Sequence, residues 1–240
     1  MSRTERSDLL LGKEATEKLR GSYVAVFGIG GVGSYAAEAL ARAGVGRILL
    51  VDNDTVSESN INRQLIARID TVGQPKTAVM AERIAAINPD AVVEQRQDFF
   101  AADNADSFPF GELDYIVDAI DSVSSKVELI CRAKGADVPI ISCMGTGNKL
   151  DPTAFRVADI AETSVCPLAR IIRKECRKRG IEKLKVVYST EDPIDCTLPA
   201  DDPAWAELPE GRNALPGSVC FVPAAAGMVL AGEVIKDLIR

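Results

Sequence analysis

The sequence has 240 residues, of which 47% are hydrophobic, so it holds enough apolar side chains for a buried core and disorder as the dominant state is excluded. It has no histidine, which excludes a histidine-based triad, an imidazole general base and a histidine-ligated metal site. The net charge of −7 argues against nonspecific binding of nucleic acid by the whole surface.

The N-terminus begins MSRTERSDLL and lacks the apolar region of a signal peptide. The most apolar stretch, residues 221–232, is too short to span a bilayer and is followed by Glu233. We therefore expect a cytoplasmic chain with no membrane contact.

Segments typical of strands and helices alternate through the first half of the chain. The predicted strands are residues 23–28, 47–52, 91–95, 113–119 and 139–145, and the predicted helices are residues 34–44, 74–88 and 122–135. This alternation predicts an α/β fold with right-handed crossovers and a Rossmann-like, mostly parallel sheet that has helices on both faces.

The second half is less regular, and we expect it to continue the sheet. Its predicted segments are a helix over residues 167–180, a strand over 184–190, a proline-rich loop over 191–217 and a helix over 222–240. Gly180 is the expected stop of the first of these helices. We predict a single domain over residues 1–240, with a nucleotide-binding half (1–150) and a substrate and dimer half (151–240).

A glycine-rich loop follows the first predicted strand. Gly28, Gly30 and Gly33 form a G-x-G-x-x-G pattern to which Gly31 is added, and such a loop lets backbone N–H groups approach phosphate at the start of a helix. Asp52 ends the second strand, where a carboxylate can bind ribose hydroxyls. The pattern predicts an adenine nucleotide but does not separate NAD from ATP.

The stretch DNDTVSESNINRQ, residues 52–64, favours a triphosphate over a dinucleotide. Transfer of a nucleotidyl group needs positive charge around the phosphates and a carboxylate for magnesium. The polar candidates are the cations Arg63 and Lys76, the donors Asn60 and Gln64, and the acids Asp118 and Asp121 near the end of a predicted strand. Each alone is more typical of a solvated loop, and only their combination on one sheet edge predicts the site.

Four motifs, GIGGVGS, DNDTVSESNINRQ, VGQPK and DAIDS, resemble those of the ubiquitin-activating-enzyme-like family of adenylyltransferases in order and spacing. The resemblance implies a homodimer that uses ATP and Mg²⁺ to form an acyl-adenylate. It also implies functional residues at matching positions: Asp52 for ribose, Asn60, Arg63, Gln64 and Lys76 for the phosphates, Asp121 for magnesium, and Arg6 acting on the triphosphate of the partner protomer. The implied catalytic residues are Arg63, Lys76, Asp121 and Arg6.

The downstream sequence resembles one branch of that family, the tRNA threonylcarbamoyladenosine dehydratases, which lack zinc. This branch implies cyclisation of threonylcarbamoyladenosine in tRNA through carboxylate adenylation. It is also associated with a monovalent cation, which no residue here can be assigned to bind, and a cysteine desulfurase or sulfur acceptor is a possible protein partner. Three alternatives remain: activation of a sulfur-carrier protein, which the lack of C-x-x-C pairs disfavours, a non-enzymatic scaffold, and a dehydrogenase.

Residues 170–185 are strongly basic, with eight basic and two acidic residues. Arg170, Arg173, Lys174 and Arg177 recur at helical spacing and form one stripe, which is predicted to contact tRNA phosphates. The alternative is a solvated basic face that complements the helix dipole. Cys166 or Cys196 is a candidate for a covalent acyl acceptor, although intramolecular cyclisation needs none.

Overall fold

The computed structural model describes residues 3–196 and 216–240. The strands are β1 (Tyr23–Phe27), β2 (Arg47–Val51), β3 (Val92–Arg96), β4 (Tyr115–Asp118), β5 (Ile140–Cys143), β6 (Phe155–Asp159) and β7 (Lys185–Ser189). The helices are α1 (Glu5–Leu11), α2 (Lys13–Gly21), α3 (Gly33–Ala43), α4 (Lys76–Ile87), α5 (Val123–Gly135), α6 (Pro167–Lys178) and α7 (Phe221–Leu238). The proline-rich loop predicted at 191–217 lies mostly outside the described residues.

The seven strands form one sheet in the order β3-β2-β1-β4-β5-β7-β6. Every pairing is parallel except that of β6 with β7 at one edge. This confirms the predicted α/β fold and the continuation of the sheet into the second half of the chain. The sequence prediction missed three elements, namely α1, α2 and the antiparallel edge strand β6.

Helices cover both faces of the sheet. One face packs against α3, α4 and α7, with Leu40, Ile84 and Leu230 fully buried in that layer. The other face packs against α5 and α6 and against a cluster of phenylalanines around Phe27. Because both faces are covered, the central strands are continuous apolar runs rather than alternating ones.

The parallel register brings the carboxyl ends of β1, β2, β4 and β5 to the same end of the sheet. This row of strand ends is called the nucleotide edge below. Helices α1 and α2 lie at the opposite edge: Arg3 donates to Asn88 at the end of α4, at 3.3 Å, and Lys18 donates to the carbonyl of Ile239 after α7, at 3.4 Å. In the described part of the chain, no helix has the length and apolarity that a membrane span requires. The fold therefore gathers the predicted site residues at one edge, with Arg6 at the other.

Candidate functional site

The glycine loop turns sharply between β1 and α3. Gly28 has a φ of +88°, and a Cβ there would lie 2.6 Å from the carbonyl oxygen of Ala119. A Cβ on Gly33 would lie 1.8 Å from the carbonyl oxygen of Gly28, so a side chain at either position would force the loop open. The loop thus presents its backbone at the start of α3, the positive end of an 11-residue helix.

Asp52 follows β2 and ties that strand to the glycine loop. Its carboxylate accepts the N–H of Ile29 at 2.6 Å and the N–H of Asp54 at 2.9 Å. Burial raises the pKa of Asp52 above its ordinary value, against the opposing influence of the Lys76 ammonium. The predicted ribose-binding acid is therefore held in place beside the loop before any ligand binds.

Lys76 is the first residue of α4, and its side chain extends toward Asp52 and Asp54. Its side chain is only 7% exposed, and its Nζ lies 2.7 Å from Asp54 Oδ2 and 3.9 Å from Asp52 Oδ1. A buried ammonium needs such a partner, because desolvation without one is costly. The structure thus brings Lys76 and Asp52 together, as the triphosphate hypothesis requires, and it adds Asp54 as the lysine's nearest acid.

Three further predicted residues lie in the turn after Asp54. Asn60 is buried, and its Oδ1 accepts the N–H of Ser57 at 3.2 Å, so this oxygen shapes the turn itself. Arg63 donates to the carbonyl of Ser59 at 2.9 Å and to Asn62 Oδ1 at 2.8 Å. Gln64 is 7% exposed and has a buried Oε1 with no hydrogen-bond partner among the described residues, while its Nε2 lies 3.8 Å from a Cβ built on Gly30. Gln64 is therefore the side chain with an unmet hydrogen bond beside the glycine loop.

The acids after β4 separate into a buried one and an exposed one. Asp118 and Lys126 both have 0% exposure, and Lys126 Nζ lies 2.9 Å from Asp118 Oδ1 and donates to the carbonyl of Cys143 at 3.0 Å. Asp118 is thus an internal ion-pair partner rather than a group open to a ligand, which corrects the expectation for it. Asp121, the predicted metal-binding acid, is exposed at the same edge. The Lys126 pair joins the ends of β4 and β5, a role that the sequence analysis missed.

The C-terminal half reaches the nucleotide edge through the segment before α7. Asn62 Nδ2 donates to the carbonyl of Ser218 at 3.0 Å, and a Cβ on Gly31 would lie 3.2 Å from Pro223. Asn148, with a φ of +59°, accepts the N–H of Gly217 at 2.6 Å. These contacts were not predicted, because they join residues that are far apart in sequence.

The basic residues of α6 divide into free and engaged ones. Within residues 3–196 and 216–240, Arg170, Lys174 and Arg177 are exposed and have no ion pair or side-chain hydrogen bond. Arg173 instead donates through Nη1 to the carbonyl and hydroxyl oxygens of Thr163, at 2.6 and 2.7 Å. Three of the four predicted tRNA contacts are thus available on the surface, whereas Arg173 also secures the segment before α6.

The predicted end of this helix is confirmed at Gly180, which has a φ of +69° two residues beyond the last helical residue. The N–H of Ile181 closes the helix on the carbonyl of Cys176 at 3.0 Å. A left-handed residue at this position is the usual reason for glycine after a helix.

The cysteines offer little support for a covalent intermediate. Cys166, one of the two proposed acyl acceptors, is 3% exposed, and Cys143 and Cys176 are also buried. Burial raises the pKa of Cys143 to about 12 and the pKa of Cys176 to about 11, so both thiols stay protonated near neutral pH. Among the described residues, Cys196 and Cys220 are the exposed thiols.

Arg6 is exposed on α1 and lies far from its own glycine loop. The first residues of the chain contact the ends of α3 and α4, whereas the loop lies at the beginning of α3. An 11-residue helix is about 16 Å long, which exceeds the reach of an arginine side chain. Within one protomer, Arg63, Lys76 and Asp121 therefore lie at the nucleotide edge, whereas Arg6 does not.

The chain is similar to known proteins over almost its whole length. The tRNA threonylcarbamoyladenosine dehydratase of Bacillus subtilis is 45% identical over 98% of this chain and 94% of its own length, and the Escherichia coli protein of the same name is 37% identical over 95% and 90%. The crystal structure of the Escherichia coli tRNA N6-threonylcarbamoyladenosine dehydratase in complex with ATP superposes with a TM-score of 0.87 at 35% identity, covering 98% of this chain and 93% of the other. The model of the ThiF family matches residues 3–240, and the chain belongs to that family.

Proposed function

We propose that this protein is an ATP-dependent dehydratase that cyclises threonylcarbamoyladenosine in tRNA. The observation that carries the proposal is the similarity to dehydratases over almost the whole of both chains, including the half that bears the basic helix α6. Activation of a sulfur-carrier protein, the alternative considered from the sequence, has no comparable support at that length.

ATP fits the nucleotide edge. The Escherichia coli relative was crystallised with ATP, and the glycine loop here leaves no room for a Cβ at Gly28 or Gly33. We infer that the loop backbone and Gln64 face the phosphates, that Asp52 binds the ribose, and that Arg63 and Lys76 stabilise the charge that develops on the phosphates. For Lys76 this requires its ammonium to be shared between Asp54 and the nucleotide.

Magnesium fits the acids at this edge. No group of three or more potential metal-binding side chains exists among residues 3–196 and 216–240, which is compatible with an ion held by one carboxylate together with phosphate oxygens. Asp121 is the exposed carboxylate at the right edge and would hold the ion. When bound, Mg²⁺ would supply charge neutralisation on the triphosphate. We assign no residue to a monovalent cation and no role to zinc.

The reaction has two steps. An oxygen of the threonyl carboxylate attacks the α-phosphorus of ATP, the bond to pyrophosphate breaks, and an acyl-adenylate forms. A nucleophilic atom of the same modified side chain then attacks the acyl carbon and gives up its proton to solvent, the bond to the AMP oxygen breaks, and the ring closes. One carboxylate oxygen leaves with AMP, so the nucleoside loses the equivalent of one water. Because the second nucleophile is already part of the substrate, no cysteine is required.

A second copy of the chain would complete the site. Arg6 lies at the edge opposite its own glycine loop, and the same short helix exposes Leu9 and Leu10 to 85% and 86%. We propose that α1 packs on a partner protomer and that Arg6 acts on the partner's triphosphate. Mixing Arg6→Ala protein with Asp121→Ala protein should then restore one complete site per mixed dimer. If the mixture is no more active than the two variants alone, the arrangement in trans is wrong.

Mass spectrometry of nucleosides tests the main proposal. Transfer RNA that carries threonylcarbamoyladenosine is incubated with the protein, ATP and Mg²⁺, and we expect the modified nucleoside to lose the mass of one water only when ATP is present. Asp121→Ala protein is the control. An unchanged nucleoside, with ATP–pyrophosphate exchange that depends on a carrier ending in Gly-Gly, would favour the sulfur-carrier activator instead. A cysteine desulfurase or sulfur acceptor as a partner stays a prediction that this assay does not address.

A further inference from the structure

A cavity of about 370 Å³ opens beside the C-terminal end of α6, away from the nucleotide edge. Its floor is apolar, since Ile160 and Cys176 are each only 2% exposed and Ile181 is half-buried. It is also lined by Arg173, Arg177 and the exposed Glu182. Its volume lies in the range of about 300–1,000 Å³ that is typical of small-molecule sites.

The unpaired cations of α6 connect this cavity to the nucleotide edge. The helix begins at that edge, where Cys166 Sγ lies 3.9 Å from a Cβ built on Gly145, just after β5. Arg170, Lys174 and Arg177 then follow along one side of the helix, with no ion pair among the described residues. Ten residues separate Cys166 from Cys176 in the cavity floor, which amounts to about 15 Å along the helix axis.

This combination fits one class of ligand. A row of exposed, unpaired cations binds a phosphate backbone, whereas a concave apolar floor bounded by a guanidinium accepts the flat face of an aromatic ring. Arg177 can donate to ring acceptors, and the carboxylate of Glu182 can accept from an exocyclic amino group. A peptide without acidic side chains would satisfy the floor but would leave the row of cations without partners.

We propose that this cavity binds an unpaired nucleobase of the tRNA loop that carries the modified adenosine. The proposal rests on the proposed function, because it takes tRNA as the substrate. At about 3.4 Å per stacked nucleotide, 15 Å corresponds to about four nucleotides, so the bound base belongs to the same loop as the base at the nucleotide edge. Single-stranded loops are where proteins read RNA bases, since unstacked bases can be splayed out and bound individually.

A scan with abasic nucleotides tests the proposal. The substrates are threonylcarbamoyladenosine-bearing tRNAs that each lack one base of the anticodon loop, and kcat/KM is measured for the wild type and for Ala161→Trp. Ala161 is an exposed residue of the cavity wall, so the indole should fill the cavity without disturbing the core. Ala85→Trp, an exposed position on α4 at the opposite face of the sheet, is the matched control.

For the wild type, we expect the loss of one base, other than the modified one, to lower kcat/KM about tenfold, in line with the loss of one hydrogen bond to a charged group. Ala161→Trp should show the same loss on intact tRNA and no further loss on that abasic tRNA, while Ala85→Trp should behave as the wild type. Additive effects of Ala161→Trp and every abasic position would overturn the proposal, as would an Ala161→Trp enzyme with unchanged kcat/KM. The wild type must dehydrate intact tRNA in the same assay, and failure there would count against the proposed function instead.

Discussion

The nucleotide edge and helix α6 carry positive charge in opposite ways. At the edge, two lysines are buried and paired: Lys76 is 7% exposed beside Asp54, and Lys126 is 0% exposed beside Asp118. On α6, Arg170 and Arg177 are exposed and have no partner among the described residues. Basic side chains are therefore held by neighbouring carboxylates in one region and are open to an external polyanion in the other.

The difference matches what each region is proposed to bind. Stabilisation of a transition state needs charges that are already oriented, in a place from which water is largely excluded. Contact with a nucleic acid backbone needs cations that displace the counterions of the phosphates and can adjust to the phosphate positions. Such contact is strongly salt-dependent. The molecule thus combines buried, paired cations at the proposed catalytic edge with exposed, unpaired cations on the proposed docking face, and the following predictions separate the two.

The largest effect on folding is expected from the buried pair. Lys126→Met leaves Asp118 charged and unpaired at 0% exposure, so the free energy of unfolding should fall by about 3–5 kcal/mol. Urea unfolding measures the change, and Lys126→Arg, which keeps a positive charge, should retain more of the stability. A loss below about 1 kcal/mol would mean that the edge is not held together by this pair.

Removal of one electrostatic group at the edge should cost activity rather than stability. Asp121→Ala and Arg63→Ala should each lower ATP-dependent turnover about 10²–10³-fold, the usual effect of one such group. Asp103→Ala removes an exposed acid from the loop after β3 and is the control. Turnover is followed as AMP release, and near-wild-type turnover in either variant would remove that residue from the proposed site.

The sequence predicted the sheet well because its strands and helices carry local signals. The runs YVAVF and ILLV are continuously hydrophobic, and Gly180 ends α6 where expected. The strand β6 was missed because FRVAD alternates only weakly, and its conformation depends on pairing with β7. Helices α1 and α2 were missed because they are short, with seven and nine residues, and together bury only Ala15, Thr16 and Leu19.

The site was predicted as a set of residue types, but not in its internal pairing. Lys126 lies eight residues after Asp118 and seventeen before Cys143, and only the folded chain brings the three together. Arg173 occupies the same stripe as Arg177, yet its contact with Thr163 depends on how the segment before α6 folds back. Cys166 was a reasonable candidate nucleophile until its burial was known.

The free cations of α6 should control the salt dependence of tRNA binding. Replacing Arg170, Lys174 and Arg177 together with alanine should raise the KM for tRNA and reduce the slope of log K against log salt by about three, one for each lost phosphate contact. Lys178→Ala/Arg179→Ala is the matched control, because both residues are engaged by Glu175. If the control changes the slope as much as the triple variant, the distinction between free and engaged cations has no functional meaning.

The smallest effect on stability is expected for Glu38, a buried glutamate that pairs with two arginines away from the proposed ligands. Glu38 on α3 is 6% exposed and accepts from Arg83 at 2.6 Å and from Arg42 at 2.7 Å. Burial alone would raise the pKa of Glu38, but the hydrogen bonds from the two arginines outweigh it and hold the pKa below its ordinary value.

A carboxylate with a lowered pKa stabilises the fold above its ordinary pKa, and this stability is lost as the pH falls through the lowered value. Glu38→Gln should therefore reduce the free energy of unfolding by about 1–2 kcal/mol near pH 7, since hydrogen bonds to charged groups contribute about that much, and the difference from the wild type should shrink in acid. Urea unfolding near pH 7 and in acid measures the free energy of unfolding. Glu17→Gln is the control, because the exposed pair of Glu17 with Arg20 should contribute little at any pH. A difference that persists unchanged in acid would mean that the glutamate stabilises α3 through packing and not through its charge.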